Sequence, residues 1–230
     1  AEKIALNAGL SLKLNFASAS GSEIGEYGAL DESRILHTAQ KDNGRVVYRH
    51  PDPAYAEKDA ASIVGIINRI SSGSGDGGLD LYAVSNYVRM CRDLSETCMV
   101  AEYIPDGQDR GQIAGFATGF RMPDRENKGV FLWQTGVDPD YQGMGIGTKV
   151  EMALLEKLDP DYLYFTVVPG YAGATRTAEK KAEWMQDRKE GIVFETPHQI
   201  EPEILGDHDP ELTYYIGPVK SPFKLGVCGL

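Results

Sequence analysis

The chain has 230 residues, of which 42% are hydrophobic and 25% are charged, the proportions of an ordinary globular protein. These values exclude a wholly disordered or collagen-like chain, and no run approaches the roughly 18 apolar residues that a membrane helix needs. With 34 acidic against 23 basic residues the formal net charge is -11, so we expect neither nucleic acid nor a membrane as a partner.

The cysteine pattern argues against a disulfide framework and a zinc site. Cys91, Cys98 and Cys228 show no CxxC spacing, so we expect a reducing compartment and no bound metal. The opening residues AEKIAL contain neither a charged n-region nor an apolar h-region. We therefore expect no signal peptide and a cytoplasmic location.

The first half of the chain predicts an extension, a strand and two helices. Residues 1–44 lack a sustained period and are predicted to be a loosely organised N-terminal extension. RVVY (45–48) predicts a strand, and apolar residues recur at helical spacing over 55–70. SSGSGDGG (71–78) predicts a flexible loop, after which a second helix is expected over 82–93.

The second half predicts a meander followed by alternating elements. TCMVAEY, GQIAGFATGFR and VFLWQTGV are separated by short polar turns, which is typical of antiparallel strands. Further elements are predicted in this order: a helix at 146–157, a strand at 162–168, a helix at 172–188, and strands at GIVFE and LTYYI. This order predicts an α/β fold (an α+β mixed sheet) with a mostly antiparallel twisted sheet flanked by helices. We expect one domain over 45–217 and a tail over 218–230.

A glycine-rich turn, Gln142-Gly143-Met144-Gly145-Ile146-Gly147, lies between a predicted strand and a predicted helix. Exposed N–H groups at a helix N-terminus bind phosphate, and glycines allow the backbone to approach it. A Rossmann fingerprint would need glycine where Thr148 stands, and the Gly-Lys-Ser/Thr of a P-loop is missing. The turn resembles the Q/R-x-x-G-x-G/A motif of the GNAT acyltransferases, which implies a GNAT-like fold and acetyl-CoA as co-substrate. A glycine-rich helix cap without a ligand is the structural alternative.

Several longer blocks make the chain similar to the diaminobutyrate acetyltransferase family within this superfamily. They are YRHPDP, LDLYAVSNYVRMCRDLSETCMVAE, IAGFATGFRMPD, VFLWQTGVDPDYQGMGIG and HDPELTYYI. The resemblance implies acetyl transfer from acetyl-CoA to the side-chain amine of L-2,4-diaminobutyrate, a step of ectoine biosynthesis and hence of osmoprotection. The alternatives are a GNAT acetyltransferase for another small amine, and a CoA-binding protein without catalysis.

The resemblance also implies the site residues. His208 and Glu211 match a closing His-x-x-Glu and are the candidate catalytic residues. The candidate substrate-binding residues are Asp80, Trp133 and Tyr87. The family has an aromatic residue at position 85, which Tyr82 or Tyr87 could replace here. The candidate CoA-binding residues are Val137, Gln142, Gly143, Gly145, Gly147 and Thr148.

Each of these assignments has a structural alternative. Asp80 could cap a helix, Trp133 could belong to the core, and His208 with Glu211 could form a surface charge pair. Two departures from the family pattern, at Tyr82–Ser85 and at Tyr171 where the family has asparagine, leave the amine and some CoA contacts open. Oligomeric state is likewise open, with a homodimer as one possibility.

Overall fold

The computed structural model describes residues 27–73, 79–122, 128–167, 172–200 and 211–218. The chain divides into two compact units. One comprises Phe16–Phe120 and Gln134–Leu158, and the other comprises Ala1–Asn15, Arg121–Trp133 and Asp159–Leu230. Strand β5, Gly129–Val137, contributes residues to both units.

The first unit contains an antiparallel sheet and three helices. Its strands β1 to β4 pair in chain order, each antiparallel to the next, and β4 neighbours β5. The strands are β1 Ile35–Lys41, β2 Gly44–Arg49, β3 Cys98–Pro105 and β4 Gln112–Arg121. The helices are α1 Ala56–Gly73, α2 Val84–Asp93 and α3 Ile146–Leu158.

The apolar spacing read from the sequence explains how α1 packs. Ile63, Ile66 and Ile67 are fully buried on one face, as the helical period requires. A 3-10 turn at Pro53–Tyr55 precedes the helix, and the Asp52 carboxylate accepts a hydrogen bond from the Ala54 N–H at 2.9 Å. This capped turn, which follows the Pro51 stop, fixes where α1 begins.

The second unit holds the parallel part of the fold. Strand β5 pairs in parallel with β6, Tyr162–Val167, which lies antiparallel to β8, Glu211–Pro218. Strand β7, Ile192–Ile200, then pairs antiparallel with β8, and helix α4, Ala172–Gln186, completes the unit. The Phe165 and Tyr214 rings stack with their centroids 5.2 Å apart, which adds specific packing between β6 and β8.

The predicted α/β class and the order of helices and strands from residue 45 onward are confirmed. The predicted extension, however, contains strand β1, which pairs with β2 from Ile35 to Lys41 with one register shift between Ile35 and His37. The sequence did not show β1 because none of its residues is fully buried and its apolar residues do not alternate regularly. The domain boundaries at 44 and 217 remain predictions.

Two features are absent from the described ranges. No helix among them is long and apolar enough to cross a membrane. No group of three or more His, Cys, Asp or Glu side chains there is placed to hold a metal ion.

Candidate functional site

The glycine-rich turn adopts a conformation that only glycine takes without strain. Gly143 and Gly145 have φ angles of 81° and 74°, and a Cβ at either position would meet no atom within 4 Å. The loop surface is therefore open at both glycines. Helix α3 begins at Ile146, and the Lys149 N–H donates to the Gly145 carbonyl at 3.2 Å. The N–H groups that precede Lys149 in the first turn have no partner within the helix and can bind an anion.

Close backbone packing holds the first turn of α3 against the sheet. A Cβ at Gly147 would lie 3.2 Å from Val137 Cγ2, and one at Gly115 would lie 2.8 Å from Ile146 Cγ2. A larger residue at either position would push the first turn of α3 away from the sheet. Gly147 and Val137, both predicted to bind CoA, therefore lie against each other in the structure. Thr148, also predicted to bind CoA, follows Gly147 on α3 and is half-buried.

The segment leading into the loop is anchored by Asp138. Its side chain is buried, pairs with Arg69 of α1, and accepts from the Asp140 N–H at 3.2 Å. The Asp138 N–H donates to the Ala114 carbonyl of β4 at 3.0 Å. These contacts fix the path of the chain between β5 and Gln142, whose own side chain is exposed.

Strand β5 continues beyond the residues that pair with β6. The register of β5 with β6 runs from Gly129 to Leu132, and β5 continues to Val137. Burial alternates along this continuation, with Trp133, Thr135 and Val137 half-buried and the residues between them buried. Trp133 is therefore more accessible than an ordinary core tryptophan.

A buried hydrogen-bond chain attaches the Asp80 segment to β5. The Tyr87 hydroxyl donates to Gln134 Oε1 at 2.9 Å, and Gln134 Nε2 donates to the Asp80 carbonyl at 2.8 Å. Burial raises the Tyr87 pKa to about 12, so the hydroxyl stays protonated and able to donate. Gln134 is a positioning residue that the sequence analysis missed. The only signal for it was one amide inside the apolar run VFLWQTGV.

The structure corrects one reading of Asp80 and refines one of Tyr87. The N-cap of α2 is Ala83, so the interpretation of Asp80 as a helix cap is wrong, and its side chain is exposed. Tyr87, predicted to contact substrate, is fully buried and uses its hydroxyl on Gln134. Its observed contact therefore positions the segment that carries Asp80.

Comparisons with known proteins place this loop and fold in a family. The profile described as "Acetyltransferase (GNAT) family" matches residues 72–183. A Marinococcus halophilus protein named L-2,4-diaminobutyric acid acetyltransferase is 32% identical over 143 residues, which are 61% of this chain and 77% of that protein. The chain belongs to the diaminobutyrate acetyltransferase family, within the GNAT acetyltransferases.

Two further similarities agree with this membership. An Oceanobacillus iheyensis protein named L-2,4-diaminobutyric acid acetyltransferase is 30% identical over 152 residues, covering 63% of this chain and 78% of that protein. The solved diaminobutyrate acetyltransferase from Paenibacillus lautus, in complex with L-2,4-diaminobutyric acid and coenzyme A, has a TM-score of 0.59. At 24% identity, covering 78% of this chain and 98% of that one, the latter similarity shows the shared fold.

The two residues predicted to carry catalysis in this family member are not fully described. Glu211 is the first residue of β8, and its side chain lies outside the described part of the structure. His208 lies outside the described residues, and so does Tyr171, the position where the family pattern has asparagine. Their roles therefore stay predictions from the family resemblance.

The two described cysteines of this family member do not support nucleophilic catalysis by a cysteine. Cys91 and Cys98 are free and fully buried. Burial raises the pKa of both thiols, that of Cys98 to about 12, so neither forms a thiolate at neutral pH. Cys228 lies outside the described residues.

Proposed function

We propose that the chain transfers the acetyl group of acetyl-CoA to the side-chain amine of L-2,4-diaminobutyrate, giving N4-acetyl-L-2,4-diaminobutyrate, a step of ectoine biosynthesis. The observation that carries the acetyl-CoA part is the open loop with Gly143 and Gly145 at positive φ before α3. The amine is supported by family membership, since relatives at 30% and 32% identity carry that activity in their names.

The reaction needs a neutral amine, an oxyanion donor and a leaving thiolate. The amine nitrogen attacks the thioester carbonyl carbon, forming the C–N bond. The C–S bond then breaks, and the departing CoA thiolate takes the second proton that the nitrogen loses as it becomes an amide. An alkylammonium has a pKa near 10, so one proton must leave the nitrogen before attack. The thiolate of CoA is a tolerable leaving group because thiols ionise near pH 8.5.

The roles of individual residues follow from the family pattern. Glu211 or His208 takes the proton from the substrate ammonium, directly or through water, and passes it to solvent. The Asp80 carboxylate, which is exposed, attracts the second ammonium group of the substrate. The Val137 N–H at the end of β5 is the proposed oxyanion donor.

The acceptor is tested by turnover with acetyl-CoA across a panel of amines, with the products identified by mass spectrometry and NMR. We expect L-2,4-diaminobutyrate to be the best acceptor and to be acetylated at N4. L-2,3-diaminopropionate, one methylene shorter, should show a kcat/KM about 100-fold lower, because its amine sits about 1 Å from the position the site provides. Acetylation of the α-amine, or faster turnover of spermidine, would contradict the proposal.

A GNAT acetyltransferase for a different small amine is the second candidate. It is favoured by Tyr82–Ser85, where the segment after Asp80 departs from the family pattern. In the structure Tyr82 and Ser85 are half-buried beside Tyr87, so the substitutions lie on the segment that Gln134 attaches to β5. Preference for another diamine in the same panel would favour this candidate, while CoA binding without turnover of any amine would leave a non-catalytic CoA-binding protein.

Replacing Glu211 with glutamine is expected to lower kcat/KM for the amine about 10- to 100-fold and to leave CoA affinity unchanged. The substitution removes a charge with little change in shape, and one charge-assisted hydrogen bond is worth about 1.5–3 kcal/mol. Glu183→Gln, an equal charge change at an exposed position on α4, is the control and should match wild type. Equal kcat/KM in both variants would remove Glu211 from the mechanism.

A further inference from the structure

A lysine from the N-terminal strand reaches the glycine-rich loop. Lys41 is the last residue of β1, and its Nζ donates to the Met144 carbonyl at 3.3 Å. Met144 stands between Gly143 and Gly145, the two glycines with positive φ. The ammonium group therefore lies against the backbone of the glycine-rich loop, between its two positive-φ glycines.

The hairpin that carries Lys41 is held in place. Lys41 pairs with Gly44 across a two-residue turn in which Asn43 has a φ of 64°. The Asn43 carbonyl accepts from the Tyr103 hydroxyl and from the Asp106 N–H, each at 3.1 Å. A Cβ at Gly44 would lie 2.5 Å from a backbone oxygen of β3, so the hairpin packs closely on that strand.

The same tyrosine connects the hairpin to the start of the loop. The Tyr103 ring centroid lies 5.3 Å from that of Tyr141, the residue directly before Gln142. The Tyr141 hydroxyl is hydrogen-bonded to the Gln112 amide of β4. The lysine and the loop are therefore both attached to β3 and β4, and their separation is set by rigid elements.

The loop itself carries no charged side chain. Of the two carboxylates just before it, Asp138 is paired with Arg69, and the next basic residue after it in the chain is Lys149 on α3. At position 142, where the motif allows arginine, this chain has a neutral glutamine. Among the residues that the structure describes, none places a carboxylate within 4.0 Å of Lys41 Nζ, so its charge is not neutralised by an ion pair there.

We infer that Lys41 is a ligand of the CoA pyrophosphate, supplied by β1 to a loop that has no cation of its own. The inference rests on the proposed use of acetyl-CoA. A lysine ammonium has three donors, and the Met144 carbonyl uses one, so two remain for phosphate oxygens. In a protein with a net charge of -11, this local positive charge also favours the approach of an anionic ligand.

The test compares Lys41→Gln with Lys157→Gln by calorimetry, using CoA as the ligand. Lys157 is exposed in the last turn of α3, so its replacement makes the same charge change on the helix that follows the loop but far from it. We expect Lys41→Gln to weaken CoA binding about 3- to 10-fold and Lys157→Gln to leave it unchanged. Raising the salt concentration should narrow the difference, because the lost contact is electrostatic.

A second ligand, 3′-dephospho-CoA, identifies the phosphate. Equal losses with CoA and 3′-dephospho-CoA would support the pyrophosphate contact, whereas a loss confined to CoA would overturn it in favour of the 3′-phosphate. If Lys41→Gln and Lys157→Gln bound CoA equally well, the inference would be overturned. The proposed function would still stand as long as the wild-type protein turned over acetyl-CoA. Wild-type protein that does not bind CoA would instead overturn the proposed function, and the inference with it.

Discussion

Replacing Gly145 with valine is expected to weaken CoA binding about 100-fold or more while the protein still folds. Gly145 has a φ of 74°, a conformation that costs a β-branched residue about 1–3 kcal/mol. The loop relieves this strain by leaving the conformation that aims the N–H groups of Ile146, Gly147 and Thr148. Losing two charge-assisted hydrogen bonds, each worth about 1.5–3 kcal/mol, accounts for the size of the effect, which calorimetry with CoA measures.

Gly107→Val provides a matched control because the backbone strain is the same and the location is different. Gly107 has a φ of 76° in the turn between β3 and β4, and a Cβ there would also meet no atom within 4 Å. Both variants should lose similar stability in thermal unfolding, and only Gly145→Val should lose CoA affinity. Equal CoA binding by the two folded variants would contradict the assignment of the loop to CoA.

The sequence predicted the helices and most strands because their signals are local. In α1 the buried residues Ile63, Ile66 and Ile67 recur at the period of the helix itself, so no knowledge of distant partners was needed. Strand β1 lacks such a signal. Its residues are half-buried or exposed, and it is recognisable as a strand only through its antiparallel register with β2.

In the candidate site, too, the features that are local in the sequence were predictable and those that depend on distant contacts were not. The glycine loop was predictable because its spacing and the helix after it are contiguous in the chain. Gln134 was not, because its role comes from a buried contact with Tyr87, 47 residues away, and from the Asp80 carbonyl, 54 residues away. Lys41 was missed for the same reason, since it meets Met144 across 103 residues.

Two of the sequence blocks that carry the family resemblance meet in the fold as a buried ion cluster. Arg49, from YRHPDP, donates from Nε to Glu102, from TCMVAE, at 2.8 Å, and both side chains are almost fully buried. The same guanidinium makes two bonds to the Asp59 carboxylate of α1, at 2.9 and 3.0 Å. Arg110 adds a two-pronged contact to Glu102, so two cations balance two carboxylates. Part of what makes the blocks recognisable is thus structural rather than catalytic.

Replacing Arg49 with methionine is expected to destabilise the fold by about 3–5 kcal/mol, because it leaves the Asp59 charge buried without its cation. The Asp59 carboxylate is fully buried and also accepts hydrogen bonds from two neutral donors, the Tyr27 hydroxyl at 2.7 Å and the Asp52 N–H at 3.2 Å. The double variant Arg49→Met/Asp59→Asn removes both charges and should recover part of the lost stability. Urea denaturation of wild type, the two single variants and the double variant measures this recovery. Arg89→Met, which removes an exposed pair with Asp93, should cost less than about 1 kcal/mol. Equal costs for Arg49→Met and Arg89→Met would show that the buried cluster does not stabilise the fold.

The difference in unfolding free energy between wild type and Arg49→Met should vary with pH. This provides a second check, because such a pH dependence comes from charge rather than from packing. Burial alone would raise the Glu102 pKa, but the hydrogen bonds from Arg110 and the charge of Arg49 outweigh it and hold the pKa below its usual range. A carboxylate with a lowered folded-state pKa contributes stability above its unfolded value, about 4.3, and that contribution is lost as the pH falls through the folded value. In Arg49→Met the Glu102 pKa is lowered less, because the Arg49 charge is gone. Wild type should therefore lose more stability than the variant on acidification. The difference in unfolding free energy should therefore be largest near pH 7 and shrink below about pH 4.5. A difference that stayed constant over this range would mean that the cost of Arg49→Met comes from lost packing and not from buried charge.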